Sequence, residues 1–213
     1  MGKKMTPGKF IVIEGLEGAG KSTASSLISE VLSAQGIKFI KTREPGGTPL
    51  AEAMRKIVKS ETEEIITPEA ELLLMYASRI QLIENVIKPA LNEGVWVLGD
   101  RHDMSSLAYQ GGGRQLPDDL IMPIRNAVLK GFKPELTILM DLDPRIGLKR
   151  AAERGALDRI EKEQIEFFDR TREVYLSLAK QDDSVVTIDA SRSLPEVQEQ
   201  IRSTLTNWLP AHG

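Results

Sequence analysis

Eight residues state their chemistry first. Gly15-Leu-Glu-Gly-Ala-Gly20-Lys21-Ser22 follows the pattern G-x-x-x-x-G-K-[ST]. Glycines let such a loop curl so that successive backbone N–H groups point inward at phosphate oxygens, a conformation that side chains obstruct. The helix expected from about Lys21 adds the partial positive charge of its N-terminus. In this arrangement Lys21 bridges the β- and γ-phosphates of a nucleoside triphosphate, and the Ser22 hydroxyl ligates Mg²⁺. Gly15, Leu16, Glu17, Gly18, Ala19, Gly20, Lys21, Ser22 and Thr23 are therefore the expected contacts of that triphosphate. Guanine-selective switches carry an N-K-x-D string, which this chain lacks.

A second set of charges offers a place for a phosphate acceptor. In "TREPGGTPL", Arg43 and Glu44 stand at the end of a predicted strand, either as ligand groups or as residues of a Pro45-Gly46-Gly47 bend. In "LLLMYASRIQ", Met75 and Arg79 are one helical turn apart, so an apolar surface sits beside a cation, and Tyr76 points to another side. Arg79 alone fits a structural role as well as a ligand contact. "GDRHDMSSLAYQGGGR" follows a further apolar strand. There Asp100 can hold magnesium, and the planar Arg101 can grip a phosphate by two hydrogen bonds. Ser105, Tyr109 and Gln110 follow on a helix-like turn, and Gly111–Gly113 read as a source of freedom. Asp141, at the end of another apolar run, competes with Asp100 as the acid on the magnesium side.

These groups need a scaffold, and the apolar patterning supplies one. Short apolar runs at Phe10–Glu14, Ile37–Thr42, Val95–Leu98, Leu136–Asp141 and Val185–Asp189 read as strands covered on both faces. Amphipathic segments alternate with them, which predicts an α/β fold: an open, parallel five-stranded sheet with helices on both faces. Thr67 before Pro68, the Ser193/Glu196 capping box, and Gly131 after a helix from about Asp118 mark helix boundaries. Residues 1–9 read as a loose leader and 10–213 as one domain. Within it, "DPRIGLKRAAERGALDRIEKEQ" is dense in arginine around one glycine. That suits a small mobile lid at about 143–162, closing over phosphates and excluding water.

Composition narrows the classes further. The 213 residues suit a single core, and a net charge of −3 argues against a surface for a nucleic-acid polymer. The absence of cysteine excludes disulfides and thiolate chemistry, and two histidines argue against a histidine-rich metal site. No apolar stretch approaches membrane-spanning length, and Lys3 and Lys4 precede no apolar signal region. The expectation is a cytoplasmic protein without a membrane partner.

Together the loop with an acid at Glu17, "REPGGT", "YASRIQ", "DRHDMSSLAYQGGGR" and "LDRIE" resemble the thymidylate kinase family, from about Phe10 to Trp208. The resemblance implies the P-loop NTPase fold and a kinase that phosphorylates dTMP to dTDP with ATP and Mg²⁺. It implies that Glu17 contacts the sugar 3′-hydroxyl and that Arg101 with Arg43 holds the acceptor phosphate. Arg79 would bond to the thymine edge with Ser105 and Gln110 nearby, and Tyr109 would crowd the 2′ position. Since the loop offers no arginine, the family subtype to look for takes one from its lid, here Arg150, Arg154 or Arg159. The resemblance also implies a homodimer, with the helix from Pro68 as a candidate face. One departure is plain: Met75 occupies the place of a phenylalanine that stacks on thymine. The rival classes are a kinase for another nucleoside monophosphate or small metabolite, and an ATPase or nucleotide switch.

Overall fold

The computed structural model describes residues 6–61, 63–153 and 155–211. Five parallel strands form one sheet: β1 (Phe10–Gly15), β2 (Phe39–Arg43), β3 (Trp96–Asp100), β4 (Leu136–Asp141) and β5 (Val185–Asp189). Their order across the sheet is β2-β3-β1-β4-β5. The central strand shows why the chain folds this way. Alternate residues of a strand face opposite sides, and here both sets are apolar. Ile11 and Ile13 pack with Ala24, Leu27 and Ile28 of helix α1 (Lys21–Ala34) and with Ile201 and Leu205 of the last helix, while Phe10 and Val12 pack with Leu82, Ile83, Ile87 and Leu129. Every residue of β1 is buried, whereas the edge strands β2 and β5 are largely half-buried. Phe10→Ala would remove a ring shared by one whole layer, a loss of about 3–5 kcal/mol.

The predicted strands all form, with bounds that shift at three of them, β1 by a single residue to Gly15. β2 begins two residues later than expected, because the Ile37 N–H is spent on Leu32 O at the end of α1. β3 runs two residues further, to Asp100, through pairing of Gly99 and Asp100 with Val12 and Ile13 on one side and Thr42 and Arg43 on the other. The carboxyl ends of β1, β2 and β3 thus reach one edge together, carrying Glu14, Arg43 and Asp100.

Helix α2 (Pro49–Lys59) starts at Thr48, and α3 (Pro68–Leu82) at Thr67. Each threonine accepts the N–H three residues on, with proline first in the helix. α3 continues through a π-helical turn into α4 (Lys88–Asn92). After β3 come α5 (Asp103–Ser106), a π-helical turn over Leu107–Gly113, and α6 (Asp118–Leu129). Lys130 and Gly131 both take positive φ at the end of α6, so the helix closes one residue before the predicted glycine. α7 (Pro144–Ala152), α8 (Ile165–Ala179) and α9 (Leu194–Trp208) complete the set, α9 opening with the predicted capping box.

Two expectations change. Gly112 and Gly113 do not loosen the chain: a Cβ at Gly112 would strike Arg170 O and Val174, and one at Gly113 the ring of Phe167. Their role is close packing against α8. The expected leader over residues 1–9 is also partly fixed. Gly8 donates to Leu91 O at 2.8 Å, and Lys9 O accepts from Val97 at 2.9 Å, extending the strand contact backward. Residues 1–5 of that leader lie outside the described residues.

Candidate active site

A cavity of about 630 Å³ opens over the carboxyl edge of the sheet. Residues Glu17–Ala24 form one side, and Arg43, Arg55, Met75, Asp100, Arg101, Ser105, Tyr109 and Gln110 the other. Arg150, Asp158, Ile160 and Glu161 reach it from the region predicted as a lid, and Ala190, Arg192, Leu194 and Val197 close a further end.

The glycine loop is built from backbone. Gly15, Gly18 and Gly20 have positive φ, and Gly20 leads into α1 without a side-chain cap, leaving the helix N–H groups for another acceptor. Gly18 also meets α7 backbone to backbone: a Cβ there would overlap Gly147, and one on Gly147 would overlap Glu17 O. The Lys21 ammonium donates to Gly15 O at 3.0 Å and Leu16 O at 2.8 Å. Burial, with the nearby positive charge of Arg101, pulls its pKa down to about 8, against the opposing pull of Glu17, Asp100 and Glu14.

The opposite wall is built from side chains. Arg101 holds its backbone at φ 69 as β3 ends, while its N–H still donates to Ile13 O at 2.9 Å. Its guanidinium donates to Glu17 Oε1 at 2.7 Å, Tyr109 OH at 3.2 Å, Ser105 Oγ at 3.2 Å and Tyr175 OH at 3.3 Å. Tyr109 OH in turn donates to Glu17 Oε2 at 2.6 Å. Burial alone would raise the Glu17 pKa, yet the charges of Arg101 and Lys21 and the Tyr109 hydroxyl hold it below the ordinary carboxylate value. The loop acid is thus an anion locked between two cations, and it joins the glycine loop to the far wall.

Under this network sits Glu14, fully buried, which accepts from the His102 and Ser105 amides, from Ser105 Oγ at 2.6 Å and from Tyr175 OH at 3.0 Å. Burial raises its pKa against those hydrogen bonds. Sequence reasoning missed both Glu14 and Tyr175. A carboxylate closing an otherwise apolar strand was the available signal for Glu14. Tyr175 gave none, because only the fold brings α8 to β1.

Arg79, read either as structural or as a ligand contact, is held by buried partners. It is fully buried, outside the cavity wall, and its Nε donates to Glu44 Oε2 at 2.6 Å and its Nη2 to His102 O at 2.9 Å. Its Nη1 has no hydrogen-bond partner among the described residues. Glu44 Oε1 also lies 2.7 Å from His102 Nδ1. Burial would raise the Glu44 pKa, but Arg79 and His102 hold it down. Tyr76, read as belonging to another side of the helix, lies with its ring 4.7 Å from the Arg79 guanidinium, since residues three apart share a face. Arg43 lines the cavity but is exposed and paired with Glu52 at 3.0 Å.

The candidates in two open choices differ in their partners. Both Asp141 oxygens are taken by Arg172, at 2.7 and 2.9 Å. Asp100 Oδ1 is buried with no hydrogen-bond partner among the described residues. Among the lid arginines, Arg150 Nη1 reaches Gly18 O at 3.5 Å, whereas Arg159 is turned away onto Val58 O and Glu71. Arg154 lies outside the described residues.

A family model described as thymidylate kinase matches residues 13–201. The chain belongs to the thymidylate kinase family. It is 59% identical over 207 residues to the thymidylate kinase of Vibrio vulnificus (strain YJ016), covering 96% of this chain and 98% of that one. It is 57% identical over 209 residues to that of Vibrio campbellii (strain ATCC BAA-1116), with 97% and 100% covered. The thymidylate kinase of Idiomarina loihiensis is 55% identical over 202 residues, with 95% and 98% covered. The resemblance drawn from the motifs therefore holds over nearly the whole chain. In this thymidylate kinase family member, the glycine loop and the Arg101 wall share one cavity, and Met75, 7% exposed, stands in it.

Proposed function

We propose that the chain transfers the γ-phosphoryl group of ATP to the 5′-phosphate of dTMP, giving dTDP and ADP. The observation that carries this reading is the Arg101–Glu17–Tyr109 network facing the glycine loop across a single cavity. Two anions placed on either side of it lie near three cations, Lys21, Arg101 and Arg150.

The acceptor phosphate is already an anion at neutral pH, so the protein has little covalent work to do and acts by positioning and charge neutralisation. Lys21 and the loop amides hold the donor phosphates, and Arg150 approaches the same loop from α7. Arg101 stands ready for the acceptor phosphate, and Arg43 joins it by exchanging its solvent-exposed pairing with Glu52. Glu17 fits the sugar 3′-hydroxyl as an acceptor, while Tyr109, fixed by Glu17 and Arg101, crowds the 2′ carbon. Met75 with Ser105 and Gln110 bounds the base, and Arg79 Nη1 is a buried donor behind it. The far end, at Ala190, Arg192 and Leu194, suits adenine. The segment at about 143–162 closes as a lid that keeps water from the transferring group.

Magnesium fits the donor side, where Asp100 Oδ1 lacks a hydrogen-bond partner among the described residues and Ser22 shares the wall. When bound there it supplies positive charge to the phosphate oxygens. Leu50 and Ile57 of α2 and Leu73 of α3 are exposed apolar residues, which supports a homodimer through these helices. Light scattering on the purified protein measures that directly, and a monomer at micromolar concentration would remove it. No helix among the described residues is long and apolar enough to cross a membrane, and we place the chain in the cytoplasm.

Coupled ADP release with dTMP, dUMP, UMP, dCMP and dGMP tests the reaction. The expected result is fastest release with dTMP. ADP release independent of every monophosphate would sink it.

A further inference from the structure

Glu71 lies in the first turns of α3 and is 1% exposed, an unusual place for a carboxylate. It accepts from Gln110 Nε2 at 2.8 Å, from Arg114 Nε and Nη2 at 3.2 and 3.1 Å, and from Arg159 Nη2. Burial would raise its pKa, but the two arginines and Gln110 hold it below the ordinary value, so it stays ionised.

An ionised carboxylate accepts hydrogen bonds and donates none. The two ends of the Gln110 amide have nearly the same shape and opposite hydrogen-bonding sense. Glu71 settles which end faces which way: the nitrogen is committed to the carboxylate, and the carbonyl Oε1 is left over. That oxygen is buried and has no hydrogen-bond partner among the described residues. Gln110 itself belongs to the cavity wall, with Met75, Ser105 and Tyr109. A buried acceptor without a donor calls for one from the ligand.

We propose that Glu71, which does not line the cavity, is a positioning residue for base choice. It holds Gln110 as an acceptor, so that a pyrimidine with an N–H at position 3 is accepted and one with a lone pair there is rejected. Thymine and uracil are of the first kind, and cytosine is of the second. Arg114 and Arg159 keep the carboxylate charged, and hence keep the amide from turning over. This inference rests on the dTMP reading above.

The test measures kcat/KM for dTMP, dUMP and dCMP in the wild type and in Glu71→Gln, each variant checked by circular dichroism and melting. The amide introduced by that substitution can donate or accept, so the Gln110 amide is free to flip. The dTMP:dCMP ratio should fall by about 10-fold or more, mainly through KM. The dTMP:dUMP ratio should stay put, because both bases carry the same N–H. A merely structural role would move both ratios alike or neither. Should Glu71→Gln fail to fold, Glu71→Asp decides by the same ratio, since it keeps the charge the arginines need and withdraws the carboxylate from Gln110. An unchanged dTMP:dCMP ratio in the folded variant overturns the inference alone. A wild type that releases no ADP with dTMP overturns the functional reading first, and this inference with it.

Discussion

The two walls of the cavity are made by opposite means. The loop side consists of glycine backbone and the open N-terminus of α1, with Lys21 as its main side chain. The Arg101 side consists of interlocked side chains, Glu17 and Tyr109 at the cavity with Glu14 and Tyr175 beneath them, drawn from four parts of the chain. A backbone cradle is indifferent to much of what surrounds it. A side-chain lattice depends on each member to hold the others in place. The loop wall should therefore fail locally when altered, and the Arg101 wall collectively.

The strongest way to break this contrast is Arg101→Ala. Steady-state kinetics should show kcat/KM for dTMP falling on the order of 10³-fold, while ATP binding changes little. Near-normal turnover with dTMP would show that the acceptor phosphate sits elsewhere. Next is Glu44→Gln, which leaves the buried Arg79 with only the more distant Asp103, 3.8 Å from its Nη1, as counter-ion. Chemical denaturation should register a loss of about 3–5 kcal/mol. Ser22→Ala on the loop should shift stability by less than about 0.5 kcal/mol, and similar losses in the two variants would erase the distinction drawn here.

A third test uses pH. Folding lowers the Lys21 pKa to about 8, so between there and the ordinary lysine value the unfolded chain binds more protons than the folded one. Stability contributed by this group therefore rises with pH over that window. ATP affinity moves the other way, because the neutral amine has no charge to offer. Calorimetric titration should show affinity weakening by up to about 10-fold per pH unit above 8. An affinity flat from pH 7 to 9.5 would mean that Lys21 stays charged. The smallest effect is Met75→Phe, which adds a planar partner for the base. It should lower KM for dTMP by a few fold, in line with about 0.5–1.5 kcal/mol for an aromatic pair. An unchanged KM would place the base away from residue 75.

The same contrast explains what was legible in the sequence. The loop is contiguous, so Gly15 to Ser22 disclosed both geometry and ligand. The five strands were visible as well, because a strand covered on both faces needs an unbroken apolar run. Asp100 and Arg101 were legible as a pair, but their partners were not. Choosing Asp100 over Asp141 needed Arg172, which comes from α8. The burial of Arg79 needed Glu44 and His102 to meet it across three elements. Glu71 gave no local sign at all, since an acid in the first turn of a helix reads as a response to the helix dipole. Gly112 and Gly113 misled for a related reason: glycine marks freedom and tight packing alike, and only the close approach of α8 separates them.

Gly18 and Gly147 sit where neither could carry a methyl group: one on Gly18 would strike Gly147, and one on Gly147 would strike Glu17 O. An alanine introduced at one would have to push the opposing backbone aside. Anyone transplanting the arginine-rich segment onto a related scaffold must therefore move these two positions as a matched set, however far apart they stand in the chain.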